Sequence, residues 1–418
     1  MSNPESGYHE EPMSKKEGVK REMEAMREQG YTKGVELRAK VLDVGSEAAV
    51  FEIAGHDNYV AKVDLKILKR NIKSQEENRK AWEGLDVNEQ AAAKFEYATA
   101  WQSAMESEID KAKTKHKKLE QAFPDYTLEE RYYLEPVPVN REILKAATGK
   151  DVPPDYLKDG SVRVRTLVKT QERIPASVLE SGTDICNDYQ ELNELVDEEA
   201  YAKFNKDLIA GEGELAESYL RTLGRPENPD KMGQLLDKMK TDPELRAVMG
   251  DFAKRAVQYT NKNREILDLF GKNNVLAHKD EAGKQTLTFV DAQYPGENTW
   301  DKDVDCLRKL AKGAEITDKD TDKAINVLNY VRYVNALASV TGVRERLRLP
   351  VSLSNVDKQI LEAIRARHGV GQYGAELPDL TTDEERFSAP AAVGLRVETR
   401  KAQAPSARII DNRPTGNA

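Results

Sequence analysis

An apolar stripe through residues 98–123 constrains this chain more than any other feature. Ala98, Trp101, Met105, Ile109, Ala112, Leu119 and Phe123 recur mostly at intervals of three or four, or sums of them. That spacing lays them along one side of an amphipathic α-helix, which the FPDYT turn ends. The segment before it has a different period. From Val35, VELRAKVLDVGSEAAVFEIAG and NYVAKVDLKIL are short β-branched runs broken by Gly, Asp and Asn, the pattern of antiparallel strands joined by tight turns. Strand-like runs return after the helix at residues 132–139 (YYLEPVPV) and 162–168 (VRVRTLV). The prolines push the first of these toward a sheet edge, because proline has no N–H to give to a ladder.

From about residue 175 the chain reads as helical, over 176–179, 188–208, 214–223, 231–239, 243–261, 301–313, 319–340 and 356–368. One hairpin over 274–291 interrupts it, and there is no internal repeat. Residues 1–33 are rich in Glu and Lys with few aliphatic side chains, and read as a disordered tail with a fraying helix over 16–29. Residues 372–418, rich in Pro, Ala, Thr and charge, read as a second such tail. The expected fold class is therefore α+β. Residues 34–172 supply a small antiparallel sheet with one long helix, and residues 173–371 a mostly helical part containing the hairpin.

Composition narrows the class further. A chain of 418 residues is long enough for one bilobed enzyme or two modest domains. Its net charge of -9 is spread along the chain with acidic and basic residues mixed, whereas a nucleic-acid footprint would cluster Lys and Arg. Cys186 and Cys306 lie too far apart in the chain to suggest a disulfide framework or a zinc site, and the five histidines form no metal-ligand spacing. No apolar run approaches the length of a membrane span, and the start, MSNPESGYHEEP, lacks the apolar core of a signal peptide. The expectation is a cytoplasmic protein with neither nucleic acid nor membrane as partner.

The chemistry sits in residues 266–291, ILDLFGKNNVLAHKDEAGKQTLTFVD. A loop carries Asp268, Asn273 and Asn274, a hairpin follows, and Asp291 ends an apolar strand. Phosphoryl transfer needs a carboxylate beside the accepting hydroxyl, and oxygen ligands that hold Mg2+ against nucleotide phosphates. A second stretch, residues 42–62, reads LDVGSEAAVFEIAGHDNYVAK. Gly45, having no side chain, lets backbone N–H groups approach a phosphate closely.

Taken together, the two stretches resemble the protein-kinase-like superfamily. In that family a glycine-rich strand–turn–strand covers the phosphates and a lysine on the third strand pairs with them. With Val50 at the valine ending the glycine motif, Gly45 falls at the second glycine, while Asp43 and Ala48 stand in place of the first and third. Lys62, 12 residues after Val50, lies in YVAK, which looks like the family's lysine strand with one residue fewer between Ala61 and the lysine. The resemblance implies ATP and Mg2+ as cofactors. Gly45, Ser46, Val50, Ala61 and Lys62 then contact nucleotide, Asp268 acts as the catalytic aspartate, and Asn273 or Asn274 with Asp291 holds the metal. It further implies a helix glutamate that orients Lys62, for which Glu108 is the candidate, and an inter-lobe hinge at residues 168–172 (VKTQE).

Three departures separate the chain from regulated protein kinases. Ile266 and Leu267 stand where those kinases keep His and Arg, Gln293 replaces a glycine, and only about ten residues follow Asp291 before the next helix. The resemblance is accordingly to the aminoglycoside- and choline-kinase-like branch, or to an atypical bacterial kinase. It implies transfer of the γ-phosphoryl group of ATP to a hydroxyl on a protein or a small molecule. Two rivals remain: a pseudokinase scaffold, and a helical interaction protein without catalysis.

Overall fold

The computed structural model describes residues 37–45, 48–149, 161–186, 214–223, 228, 230–294 and 296–351. The tails expected over 1–33 and 372–418 and the helices expected over 188–208 and 356–368 lie outside the described residues, as does Ser46. The chain is a mixed α+β protein with a small antiparallel sheet. Strands β1 (Leu37–Val44), β2 (Ala48–Ile53), β3 (Tyr59–Asp64), β4 (Glu130–Asn140) and β5 (Ser161–Glu172) form that sheet in the order β1-β2-β3-β5-β4. The proline-bearing β4 is an edge strand, where Pro136 and Pro138 do not interrupt a second ladder.

Helices α1 (Leu65–Trp82) and α2 (Val87–Ala122) connect β3 to β4. The strand-like run expected over residues 58–68 is a strand only to Asp64, and α1 takes over at Leu65. Its start is nonetheless written in the chain, since the Asp64 carboxylate accepts from Lys66 N at 2.7 Å and Ile67 N at 2.9 Å as an N-cap. Leu65, Leu68 and Ile72 follow at helical spacing and are buried. With Ile143, Leu144 and Ala147 of α3 (Arg141–Thr148), they cover the sheet face made by Ala49, Phe51, Ala61, Val63 and Val168.

Helix α2 begins 11 residues before the stripe, at a capping box in which Asp86 and Glu89 bond each other's backbone. Of the stripe, Met105, Leu119 and Phe123 are buried, Trp101, Ile109 and Ala112 half-buried, and Ala98 exposed. The middle and the C-terminal end of the helix make different contacts. Asn71 of α1 donates to Met105 Sδ and to Thr166 Oγ1 of β5, which ties the middle of α2 to the sheet. Leu119 and Phe123 instead enter the core of the helical part. There the Phe123 ring lies 4.9 Å from that of Phe289 and about 6 Å from those of Phe252 and Tyr259.

The helical part comprises α4 (Ala176–Ser181), α5 (Glu214–Thr222), α6 (Lys231–Thr241), α7 (Pro243–Asn263), α8 (Thr299–Ala311) and α9 (Asp318–Thr341). The expected hairpin is β7 (Val275–Lys279) and β8 (Gln285–Phe289), and β6 (Thr183–Asp184) adds a third strand beside β7. Residues 168–172, expected as a hinge, lie inside β5. Their backbone is laddered to β3, and over residues 168–171 to β4 as well, so it has no edge to offer a nucleotide base. The chain leaves the sheet only at Arg173. Among the described residues no helix is long and apolar enough to cross a membrane.

One buried group in the helical core is poorly matched to its site. Asp303 of α8 is 3 % exposed, and no donor among the described residues reaches its Oδ2. Burial pushes its pKa up to about 7, against a partial opposing pull from Lys323 and Lys302. The protonated form is the one the core accepts. Its contribution is therefore complete below about pH 4, the unfolded carboxylate value, and is lost as pH rises through about 7. Asp303→Asn should melt on the order of 5 °C above wild type at pH 8, with the gap closing toward pH 5, as read by calorimetry at both pH values. An equal gap at both pH values would show that the charge is not the cause.

Candidate functional site

A strand alternates its side chains between two faces, so register decides what meets the covered face and what meets the opposite one. Asp43, Val50, Lys62, Lys169 and Tyr132 are successive register partners across β1, β2, β3, β5 and β4. They share the face turned away from α1 and α3. The segment after β8 comes against this face, and Lys62 Nζ donates to Val290 O at 3.1 Å.

Lys169 Nζ lies 3.1 Å from Glu130 Oε1 and 3.5 Å from Asp291 Oδ1. The other oxygen of Glu130 accepts from Tyr132 OH at 2.5 Å and lies 3.3 Å from His116 Nδ1 of α2. Gln293 Nε2 lies 3.4 Å from the same histidine nitrogen. Two lysines and two carboxylates thus share one confined site. Burial lowers the Lys62 pKa to about 8, reinforced by the neighbouring Lys169 and opposed by Asp291 and Glu130, so it remains protonated at neutral pH. Burial also works against charge on Lys169, yet Asp291 and Glu130 outweigh it and hold the ammonium above the ordinary lysine value. Asp291 and Glu130 are likewise held below the usual carboxylate range. Burial opposes their charge, and Lys169 overcomes it, helped at Asp291 by Lys62 and at Glu130 by His116.

The loop bearing Asp268 is knit to the segment bearing Asp291. Leu267 bridges Gln293, and Asp268 N donates to Ala292 O at 2.9 Å. Asp268 Oδ1 accepts from Phe270 N at 3.2 Å and Gly271 N at 3.3 Å, which closes the turn. Asn274 joins both segments: its Nδ2 donates to Asp268 O at 3.3 Å, and its carbonyl accepts from Val290 N at 2.9 Å and Asp291 N at 3.2 Å. Asn273 takes up the left-handed turn, at φ 60°. Lys115 of α2 caps the far side, donating to the carbonyls of Tyr294 and Gly296.

The structure therefore brings Lys62, Asp268, Asn274 and Asp291 together, with Val50 beside Lys62. Other expected residues fall elsewhere. Ala61 points to the opposite face and is fully buried in the sheet core, because it is one residue from Lys62 rather than two. Val60 takes the position on the lysine's face. Glu108 pairs with Arg70 of α1 at 3.5 Å and is not brought to Lys62; Glu130 of β4 is the glutamate whose charge acts there. Gly45 lies in an exposed turn, donating to Ala48 O at 2.9 Å, and a β-carbon there would sit at an ordinary 3.6 Å from that oxygen. The turn does not itself demand glycine. Ile266 and Leu267, which stand in place of His and Arg, are buried in the helical core.

Sequence reasoning missed Lys169, Glu130, His116 and Lys115. Alternation in VRVRTLVKTQE places Lys169 on the face opposite Val164, Thr166, Val168 and Thr170, but no local pattern says that this face meets Asp291. A separate groove of about 380 Å3, lined by Pro243, Arg246, Gly250, Asp251, Thr341 and Val343 among others, includes none of these residues. No protein-family profile, curated protein or solved structure matches the chain.

Gly271 has a specific task here. A β-carbon at that position would lie 2.2 Å from Asn274 Nδ2 and 2.7 Å from its Cγ, so alanine must push the amide off Asp268. Gly271→Ala should cost about 1–3 kcal/mol in urea unfolding. The penalty should shrink by about 1 kcal/mol in an Asn274→Ala background, since the clash is then gone. Equal penalties in both backgrounds would place the strain elsewhere.

Proposed function

We propose that this chain is a kinase-like phosphotransferase, with nucleotide held between the sheet and the segment after β8, and a hydroxyl group as acceptor. One observation carries the reading. Lys62 and Asp291, more than two hundred residues apart, meet at one confined charged site, with Asp268 and Asn274 bonded into its wall. The order of elements supports it: an antiparallel sheet with helices inserted between β3 and β4, then a helical part containing the hairpin. In this reading the two regions are the two lobes of a kinase-like fold.

Lys62 contributes its charge to the α and β phosphates, and the backbone of the β1–β2 turn at Gly45 covers them. Asp268, held by Phe270 and Gly271 amides, orients the acceptor hydroxyl and takes its proton late in transfer. The fit to Mg2+ rests on Asp291 and Asn274. The Asp291 side chain is 44 % exposed, and one of its oxygens faces Lys169 at 3.5 Å. Among the described residues there is no group of three or more His, Cys, Asp or Glu side chains that could hold a metal. Mg2+ would need only one or two protein oxygens here, completing its shell with phosphate and water. When bound, the metal neutralises phosphate charge; positioning and electrostatics are what the chain itself supplies.

A second reading, a scaffold that binds nucleotide without catalysis, is favoured by one contact: Lys169 already holds Asp291. Thermal melting and turnover separate the two. Mg-ATP at about 100 times its dissociation constant should add about 2.7 kcal/mol to wild type, visible as a rise in melting temperature, and Asp291→Ala should lose that rise. ADP release, to an added hydroxyl acceptor or by slow hydrolysis, should disappear in Asp268→Ala while the nucleotide-dependent rise persists. Binding without turnover in wild type would favour the scaffold. No rise at millimolar nucleotide would sink both readings.

A further inference from the structure

We infer that Lys169 is a second phosphate-binding cation of this site, aimed by Glu130 and His116 rather than by a helix glutamate. The inference rests on the nucleotide reading above and assigns a residue that the kinase resemblance does not. Lys62 and Lys169 are direct register partners on adjacent strands, so their side chains leave the sheet side by side. Like charges placed opposite each other destabilise a sheet, and this pair is largely shielded from water as well. Such a pair is stable only where negative charge faces it.

The chain supplies two carboxylates, Glu130 and Asp291. Their situations differ. Glu130 is fixed, its second oxygen held by Tyr132 and His116, and it can only orient Lys169. Asp291 is half-exposed and belongs to the segment assigned to the metal. With Asp291 engaged there, two lysines face one carboxylate. The surplus positive charge suits a polyphosphate, a ligand class with several anionic oxygens within reach of adjacent ammonium groups. The Lys169 side chain keeps 18 % of its surface exposed, and its ammonium lies between Glu130 and Asp291. A lysine of purely structural purpose would need only the Glu130 pair.

The test is titration calorimetry of the full chain with Mg-ATP. Lys169→Met should weaken the dissociation constant about 10-fold or more, the loss expected for one charge-assisted contact. Lys169→Arg should restore most of it, which a merely structural defect would not explain. Because Lys169→Met leaves Glu130 buried without its lysine partner, Lys169→Gln with Glu130→Gln serves as the folding-safe variant. Its unliganded melting curve reports the fold, and its affinity for Mg-ATP should fall as far as that of the single variant. Wild-type affinity in either variant, with Lys62→Met alone losing binding, would overturn the role of Lys169 and leave the phosphotransferase reading standing. Absence of Mg-ATP binding in wild type would overturn both.

Discussion

Helix α2 fastens the sheet to the helical part, and the rest of the arrangement depends on that bond. Its middle is tied to β5 and α1 through Met105 and Asn71, and its last turn delivers Leu119 and Phe123 into the other core. Phe123 there meets Phe252, Tyr259 and Phe289, rings that come from α7 and β8. Aromatic contacts at these separations add to burial of the ring itself, which is worth several kcal/mol when truncated. Because Phe289 ends β8, the same contact fixes where Val290 and Asp291 emerge. Two residues of α2 then grip the segment directly, Lys115 on Tyr294 and Gly296 and His116 beside Gln293.

With the segment so placed, charge does the rest. Taking lysines and carboxylates out of water costs several kcal/mol each, so they persist only as a matched set. Lys62, Lys169, Glu130 and Asp291 form such a set, drawn from β3, β5, β4 and the end of the hairpin. Its balance explains the opposite displacement of the two lysines. Lys169 has two carboxylate partners and gains charge stability, whereas Lys62 bonds a carbonyl and lies beside another cation.

Much of this was legible in the chain. The two periods separated sheet from helix, the prolines placed β4 at an edge, and the hairpin around residues 274–291 was readable from its turn. The loss of α1 has a local cause, because VAKVDLKIL contains a strand and a helix start with Asp64 as the boundary, and apolar content alone does not divide them. The misplacements at Ala61 and Glu108 have two different causes. Ala61 failed on strand parity, a rule present in the sequence and sufficient to turn it from Lys62. Glu108 failed because helical spacing gives a face but not the neighbour of that face, and Arg70 of α1 occupies it.

The sequence by itself determined what short-range geometry controls: element type, the face on which Lys62 lies, the turn built on Asp268, and the caps of α1 and α2. Tertiary structure alone decided that β5 would lie beside β3, and so that Lys169 would stand next to Lys62. It alone decided that Glu130 rather than a helix glutamate would hold a lysine, and that Asn274 rather than Asn273 would join both aspartate segments. The reason is physical. Backbone periodicity is set by sterics within a few residues, whereas the partner of a face is chosen by burial and charge matching among segments that fold together from elsewhere in the chain, which no local pattern encodes.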